Sequence, residues 1–245
     1  GQKMSKSKGN AVDPFDALET YGADAIRWYF YINSAPWLPN RFHGKAVVEG
    51  QRKFMGTLWN TYAFFILYAE IDQFNPKEHP LDKAELTLMD RWILSRLNSL
   101  VREVDDDLNE YKIFEASRAM TDFVDDLSNW YVRRSRERFW GKGMAGDKEA
   151  AFATLYHVLE TMSRLTAPFT PFMAENMYRN LVCSVDKDAP ISVHMTDFPV
   201  CDETYINAEL EGHMRDLLEV VVLGRSCRSE SGLKVRQPLS RMIVS

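Results

Sequence analysis

The chain has 245 residues, 45% of them hydrophobic and 27% charged, enough apolar material for a folded protein with a sizeable core. Its formal net charge of -5 excludes a molecule that holds nucleic acid through a global positive field, so any RNA contact needs a local basic patch. Cys183, Cys201 and Cys227 form no C-x-x-C pair, which argues against a disulfide framework and for a reducing, cytoplasmic setting. No apolar run is long enough to span a membrane, and there is no signal peptide.

Residues 1–10 are Ser, Lys, Gly and Asn without apolar periodicity, which reads as a loop. Asp13-Pro14 is a helix opening: a side-chain acceptor followed by a residue that needs no N–H donor. This helix runs to about Tyr21 and Gly22 stops it. A second starts at Asp24 with Ile26, Tyr29 and Phe30 at helical spacing, and Pro36 and Pro39 close the module.

From 43 to 182 the pattern is helical. Phe54, Leu58, Tyr62 and Ile66 repeat every four residues, and Ile93, Leu97, Leu100, Val104 and Leu108 form a stripe. A long helix over 114–139 turns Met120, Phe123, Val124, Leu127 and Tyr131 inward. Phe152, Leu155, Leu159, Met162 and Leu165 mark another, ended by Pro168, and Thr170 is read as capping a further one with Pro171 in its first turn. The links at 75–80 and 141–147 are short and polar, so an antiparallel bundle is expected.

After 183 the pattern changes. Residues 191–195 alternate like a strand, and 207–231 read as a helix with Leu210, Met214, Leu217, Leu218 and Val221 on one side. Gly232 stops it, and 233–236 alternate again. The expected fold is mainly α: a loop-and-helix module over 1–42, a bundle over 43–182, and a small α/β element over 183–245. The opening Gly1-Gln2-Lys3 without an initiator Met, and the strand-like close at 242–245, read as a piece of a longer protein.

Lys3-Met4-Ser5-Lys6-Ser7-Lys8-Gly9-Asn10 places three ammonium groups and two hydroxyls just before a helix N-terminus, a combination suited to a polyphosphate. Taken alone, a K-x-x-K stretch is more simply a solvated lysine run. The string, however, resembles the second signature of class I aminoacyl-tRNA synthetases. The likeness continues through Asp13-Pro14 and 21–28 (Tyr-Gly-Ala-Asp-Ala-Ile-Arg-Trp), which resemble the segment after that loop in the isoleucyl, valyl and leucyl enzymes. The resemblance implies that Lys3, Met4, Ser5, Lys6 and Ser7 close over ATP. In this role Lys6, helped by Lys3, stabilises charge on the departing pyrophosphate, electrostatic stabilisation of which one donor is often worth about 3 kcal/mol. ATP and Mg2+ are then required by a full-length enzyme. The family's first signature, a His-Ile-Gly-His-like element, is absent from these residues, as is any editing-domain sequence, so this piece alone is expected neither to activate an amino acid nor to charge tRNA.

Residues 130–140 (Trp-Tyr-Val-Arg-Arg-Ser-Arg-Glu-Arg-Phe-Trp) are the most concentrated basic segment. On a helix Arg133, Arg136, Glu137 and Trp140 share one face, and Tyr131, Ser135 and Phe139 share another, continuous with Leu127. Guanidinium and tryptophan together suit phosphates and unstacked bases of RNA loops. The plainer reading pairs these arginines with Asp122, Asp125, Asp126 or the 105–107 acidic run. Residues 129–134 also resemble the anticodon-binding helix of isoleucyl synthetases. That implies tRNA contacts by Trp130, Arg133, Arg134, Arg136 and Trp140, with Lys234 and Arg236 as further RNA-facing positions.

Residues 54–62, 88–97 and above all 232–239 resemble the isoleucyl members, so the implied partner is the anticodon region of isoleucine tRNA, bound by a monomer. A valyl enzyme is the runner-up, and a helical RNA- or protein-binding module without catalytic inheritance is the alternative of a different class. Cys183, His194, Cys201 and His213 match no zinc spacing, so no metal is assigned. Trp28 and Trp37 are read as packing between the loop module and the bundle.

Overall fold

A few local signals set the helix boundaries. The computed structural model describes residues 3–144 and 146–243. Asp13 caps the first helix, α1 (Pro14–Tyr21), accepting from the Phe15 N–H at 2.8 Å and the Asp16 N–H at 3.4 Å. Gly22, with φ 81°, turns the chain in a region that side chains disfavour, and α2 (Ala23–Asn33) begins directly after it. Next comes α3 (Gly44–Gln51), packed on α2 through Ala25, Tyr29 and Val47.

The bundle comprises α4 (Thr57–Asp72), α5 (Leu88–Asn109), α6 (Ile113–Asp125), α7 (Arg133–Trp140), α8 (Asp147–Thr166) and α9 (Pro171–Tyr178). Wider π turns at Arg52–Gly56, Asp126–Val132 and Arg179–Cys183 continue the helices they touch, so α6 and α7 run as one rod from 113 to 140. A Thr87–Asp90 capping box starts α5. The expected apolar stripes close on one another: Ile93, Leu97, Val104, Met120, Phe123, Leu127, Tyr131, Phe152, Leu155 and Leu159 are all at most 1% exposed.

The loop module is tied into the same core. Trp28 is fully buried, stacked on Phe54 with ring centroids 3.7 Å apart and edge-on to Phe169. Trp37, by contrast, is 70% exposed, so only Trp28 performs the packing expected of both. Thr170 occupies the N-cap position of α9, yet its hydroxyl points back to the Thr166 carbonyl. The cap comes from another element: the Asp24 carboxylate accepts from the Met173 N–H at 2.8 Å and the Phe172 N–H at 3.4 Å. Arg27 adds bonds to the Pro168 carbonyl at 2.7 Å and the Phe169 carbonyl at 3.2 Å.

The α/β character expected after 183 is not realised: no strand occurs among the described residues. In 191–195 the chain makes a 3-10 turn, Val193–Met195, because Glu175 of α9 takes the Ser192 hydroxyl at 2.8 Å and the Val193 N–H at 2.9 Å. Residues 233–236 fold as turns, with the Leu233 N–H on the Arg228 carbonyl and the Gln237 N–H on the Lys234 carbonyl. Periodicity alone could not supply a partner strand there. The terminal strand reading extends to Val244 and Ser245, which with Gly1 and Gln2 lie outside the described residues.

The helix expected over 207–231 forms as α10 (Ala208–Glu230), seated on α5 through Glu211, which accepts from the Ser95 hydroxyl and from the Ser99 hydroxyl at 2.8 Å. Of its five expected inward residues Met214 is buried, whereas Leu217 is 53% exposed. Further along α10, Val222 and Leu223 are exposed as well. No helix among the described residues is long and apolar enough to cross a membrane.

Candidate nucleic-acid interface and nucleotide loop

The loop at 3–10 is closed by its own side chains. Asn10 accepts from the Ser5 N–H at 2.8 Å and donates to the Lys3 carbonyl at 3.3 Å, fastening both ends of the motif. The Ser5 and Ser7 hydroxyls lie 2.6 Å apart, and Lys6–Lys8 form one 3-10 turn closed by the Lys8 N–H on the Ser5 carbonyl. Gly9, with φ 64°, lets the chain turn toward α1. Lys3 and Ser7 are exposed and Met4 is 46% exposed, so the loop presents its groups outward. The side chain of Lys6 lies outside the described residues. Asn10, the last residue of the matched string but given no role of its own from sequence, fastens the motif.

The arginines of the basic helix divide into two sets. Arg138 turns inward: it grips Asp90 with both nitrogens, at 2.8 and 2.7 Å, and reaches Asp147 at 2.7 Å. Asp90 has no exposure and also accepts from the Tyr131 hydroxyl at 2.6 Å, the Thr87 hydroxyl at 2.7 Å and the Thr87 N–H at 2.9 Å. Burial by itself would raise its pKa, but Arg138, Tyr131 and Thr87 together hold it below the ordinary carboxylate range. Burial, then the neighbouring Asp90 charge, push the Tyr131 phenol well above its usual value. This network anchors the rod that carries the other arginines.

Arg133, Arg134 and Arg136 are exposed, and no ion pair among the described residues involves them. Two of the acidic groups considered as partners have other contacts: Asp126 pairs with Arg96 at 3.3 Å, and Asp125 accepts from Asn129 at 2.6 Å. Of the sequence-predicted residues, Trp130, Arg133 and Arg134 line one open cleft together with Asp125, Asn129, and Val222 and Arg225 of α10. The Arg134 and Arg225 guanidinium carbons each lie 5.8 Å from the Trp130 ring centre. Arg136 and the half-exposed Trp140 lie outside this cleft, as do Lys234 and Arg236, exposed in the turns after α10. Arg225 was not singled out from sequence, since nothing in its own segment marks it; only packing brings α10 beside Trp130.

Residues 90–243 match the family model described as the anticodon-binding domain of tRNA ligase. The chain belongs to that family. The matched span begins at Asp90, the buried anchor, and includes both walls of the cleft. Residues 1–38 match the model for class I tRNA synthetases (I, L, M and V), which covers the loop and the Asp24–Arg27 tie. Over its whole length the chain is 56% identical to an isoleucine–tRNA ligase of Clostridium novyi and 54% identical to one of Clostridium tetani. It is also 51% identical to an isoleucine–tRNA ligase of Dehalococcoides mccartyi. The chain spans 24% of the length of each of these relatives. These likenesses favour the isoleucyl members over the valyl alternative. Among solved structures, a LeuRS–tRNA–LeuAMS ternary complex from Agrobacterium radiobacter aligns over 85% of this chain and 23% of its own (TM-score 0.62, 20% identity). A Mycobacterium tuberculosis methionyl-tRNA synthetase aligns over 81% of this chain and 42% of its own (TM-score 0.58, 19% identity). At these identities the two structures speak for the fold alone.

Three His, Cys, Asp or Glu side chains do not gather as metal ligands anywhere among the described residues.

Proposed function

We propose that the chain is the loop-bearing and anticodon-binding part of an isoleucine–tRNA ligase, and that its bundle holds the anticodon arm of isoleucine tRNA. The observation that carries the reading is a set of exposed guanidiniums on α7 and α10 that form no ion pair among the described residues, on a domain of the anticodon-binding family. Unpaired arginines around an indole suit phosphodiesters and unstacked bases, and they supply the local patch that a chain of net charge -5 requires. Arg133, Arg134, Arg136 and Trp140 contribute from α7, and Lys234 and Arg236 extend the surface. In the full-length ligase, Lys3 to Ser7 would close over ATP, taken up with Mg2+, while the amino acid is activated. Lys6 with Lys3 would balance charge on the leaving pyrophosphate. The full enzyme acts as a cytoplasmic monomer, and this part by itself activates no amino acid.

Binding of the chain to isoleucine tRNA, against the same tRNA with a swapped anticodon, tests the reading. Tighter binding of the unaltered tRNA is expected. Replacing both Arg133 and Arg136 with Ala should weaken binding and flatten the salt dependence by roughly 0.7–0.9 per lost phosphate contact. Equal binding of both tRNAs, or pyrophosphate exchange by the chain alone, would refute this assignment.

A further inference from the structure

The cleft between α7 and α10 combines three arginines from segments about ninety residues apart, with one carboxylate, Asp125, already engaged by Asn129. Like charges brought together in this way repel unless something compensates them. The compensation inside the chain is partial: one carboxylate stands against three guanidiniums, and the half-buried Trp130 ring attracts those of Arg134 and Arg225. Holding two cations is a different task from stacking a base, and an indole occupied by guanidiniums has less free face for a nucleobase. Trp140, 55% exposed and outside the cleft, keeps an open ring.

We infer that Arg134 and Arg225, oriented by Trp130, form a two-jawed clamp for a backbone phosphate of a folded RNA, with Arg225 of α10 a binding residue of the interface. One guanidinium can donate two N–H groups to a phosphate, and a second from a separate helix adds donors and charge that a single arginine lacks. Trp130 is a positioning residue in this arrangement. Because α10 is seated on α5 at its other end by Glu211, the outer jaw is fixed to the bundle while its exposed length stays open to the ligand. The inference rests on the RNA-binding reading above and adds to it the ligand group, the partner jaw and the role of the indole.

The test measures fluorescence anisotropy of labelled isoleucine tRNA with the chain, Arg134→Gln, Arg225→Gln and the double variant, across ~50 to ~200 mM salt. Both arginines are exposed, so the variants keep their fold, checked by circular dichroism. Arg225→Gln is expected to lose roughly tenfold in affinity and to lower the salt slope by about 0.7–0.9. The double variant should lose less than the product of the two single losses, since one jaw gone leaves the other little to close on. Trp130→Leu should behave like a jaw variant and Trp130→Phe should restore binding. If the chain binds tRNA but Arg225→Gln leaves affinity and slope unchanged, or the two losses simply multiply, the clamp is refuted while RNA binding stands. If Arg225→Gln weakens an acidic peptide or heparin as much as tRNA, the RNA phosphate assignment fails. If the chain binds no tRNA, both the clamp and the reading beneath it fall.

Discussion

Replacing Arg138 with Ala separates the structural arginine from its neighbours on the same helix. Arg138 has 13% side-chain exposure and makes paired contacts of 2.8 and 2.7 Å to a carboxylate with no exposure at all. Removing it leaves Asp90 ionised and buried, with only Tyr131 and Thr87 to solvate it. Breaking a buried pair from one side typically costs about 3–5 kcal/mol, because the penalty is that of the abandoned charge and not the net worth of the pair. Arg133→Ala removes an exposed side chain with no ion pair among the described residues and should stay within about 0.5 kcal/mol. The assay is urea unfolding of the chain followed by circular dichroism, comparing midpoints at constant slope. A double replacement, Asp90→Asn with Arg138→Met, should recover much of the loss, since no buried charge is then left alone. Arg138→Ala within about 1 kcal/mol of the parent chain, or Arg133→Ala costing as much as Arg138→Ala, would refute the division of the helix into an anchoring and a presenting side.

Asp24→Ala removes the acceptor for two N–H groups at the start of α9 and should cost about 1–2 kcal/mol in the same unfolding assay; no change would show that Thr170 can take over the cap. Acid sensitivity follows from Asp90, whose carboxyl is held below the ordinary 3.8 in the folded chain. Its stabilising contribution is fully present above that value and is lost as pH falls through the depressed folded pKa. Unfolding free energy should therefore decline on acidification below about pH 4, and Asp90→Asn, though less stable at neutral pH, should show a flatter decline. An equal acid slope in both proteins would assign the effect to other carboxylates.

Much of the fold was legible because helices announce themselves locally. The stripe from Ile93 to Val104 and the set from Met120 to Tyr131 needed only the 3.6-residue period to be placed inward, and each is buried. Asp13-Pro14 and Gly22 marked their boundaries by cap chemistry and by a positive φ, both properties of the residues themselves. The strand readings at 191–195 and 233–236 failed for the complementary reason. A strand is completed by a partner, and in the first case Glu175 of another helix claims the Val193 N–H, a backbone donor that a sheet would have used.

The candidate site divides along the same line. Sequence by itself picked out the lysine–serine loop and the arginine-rich stretch, because clustered charge beside a helix start or an indole is visible in one segment. Tertiary structure decided what Arg138 does: the helical period set Arg136 on the outer face but gave Arg138 no partner, and only packing brings Asp90, some fifty positions earlier, beneath it. It also decided that Trp130 meets Arg225, and that Asp24 caps a helix nearly 150 residues away. These pairings join positions far apart in the chain, and their partners are fixed by how the helices pack and not by any local pattern of residues.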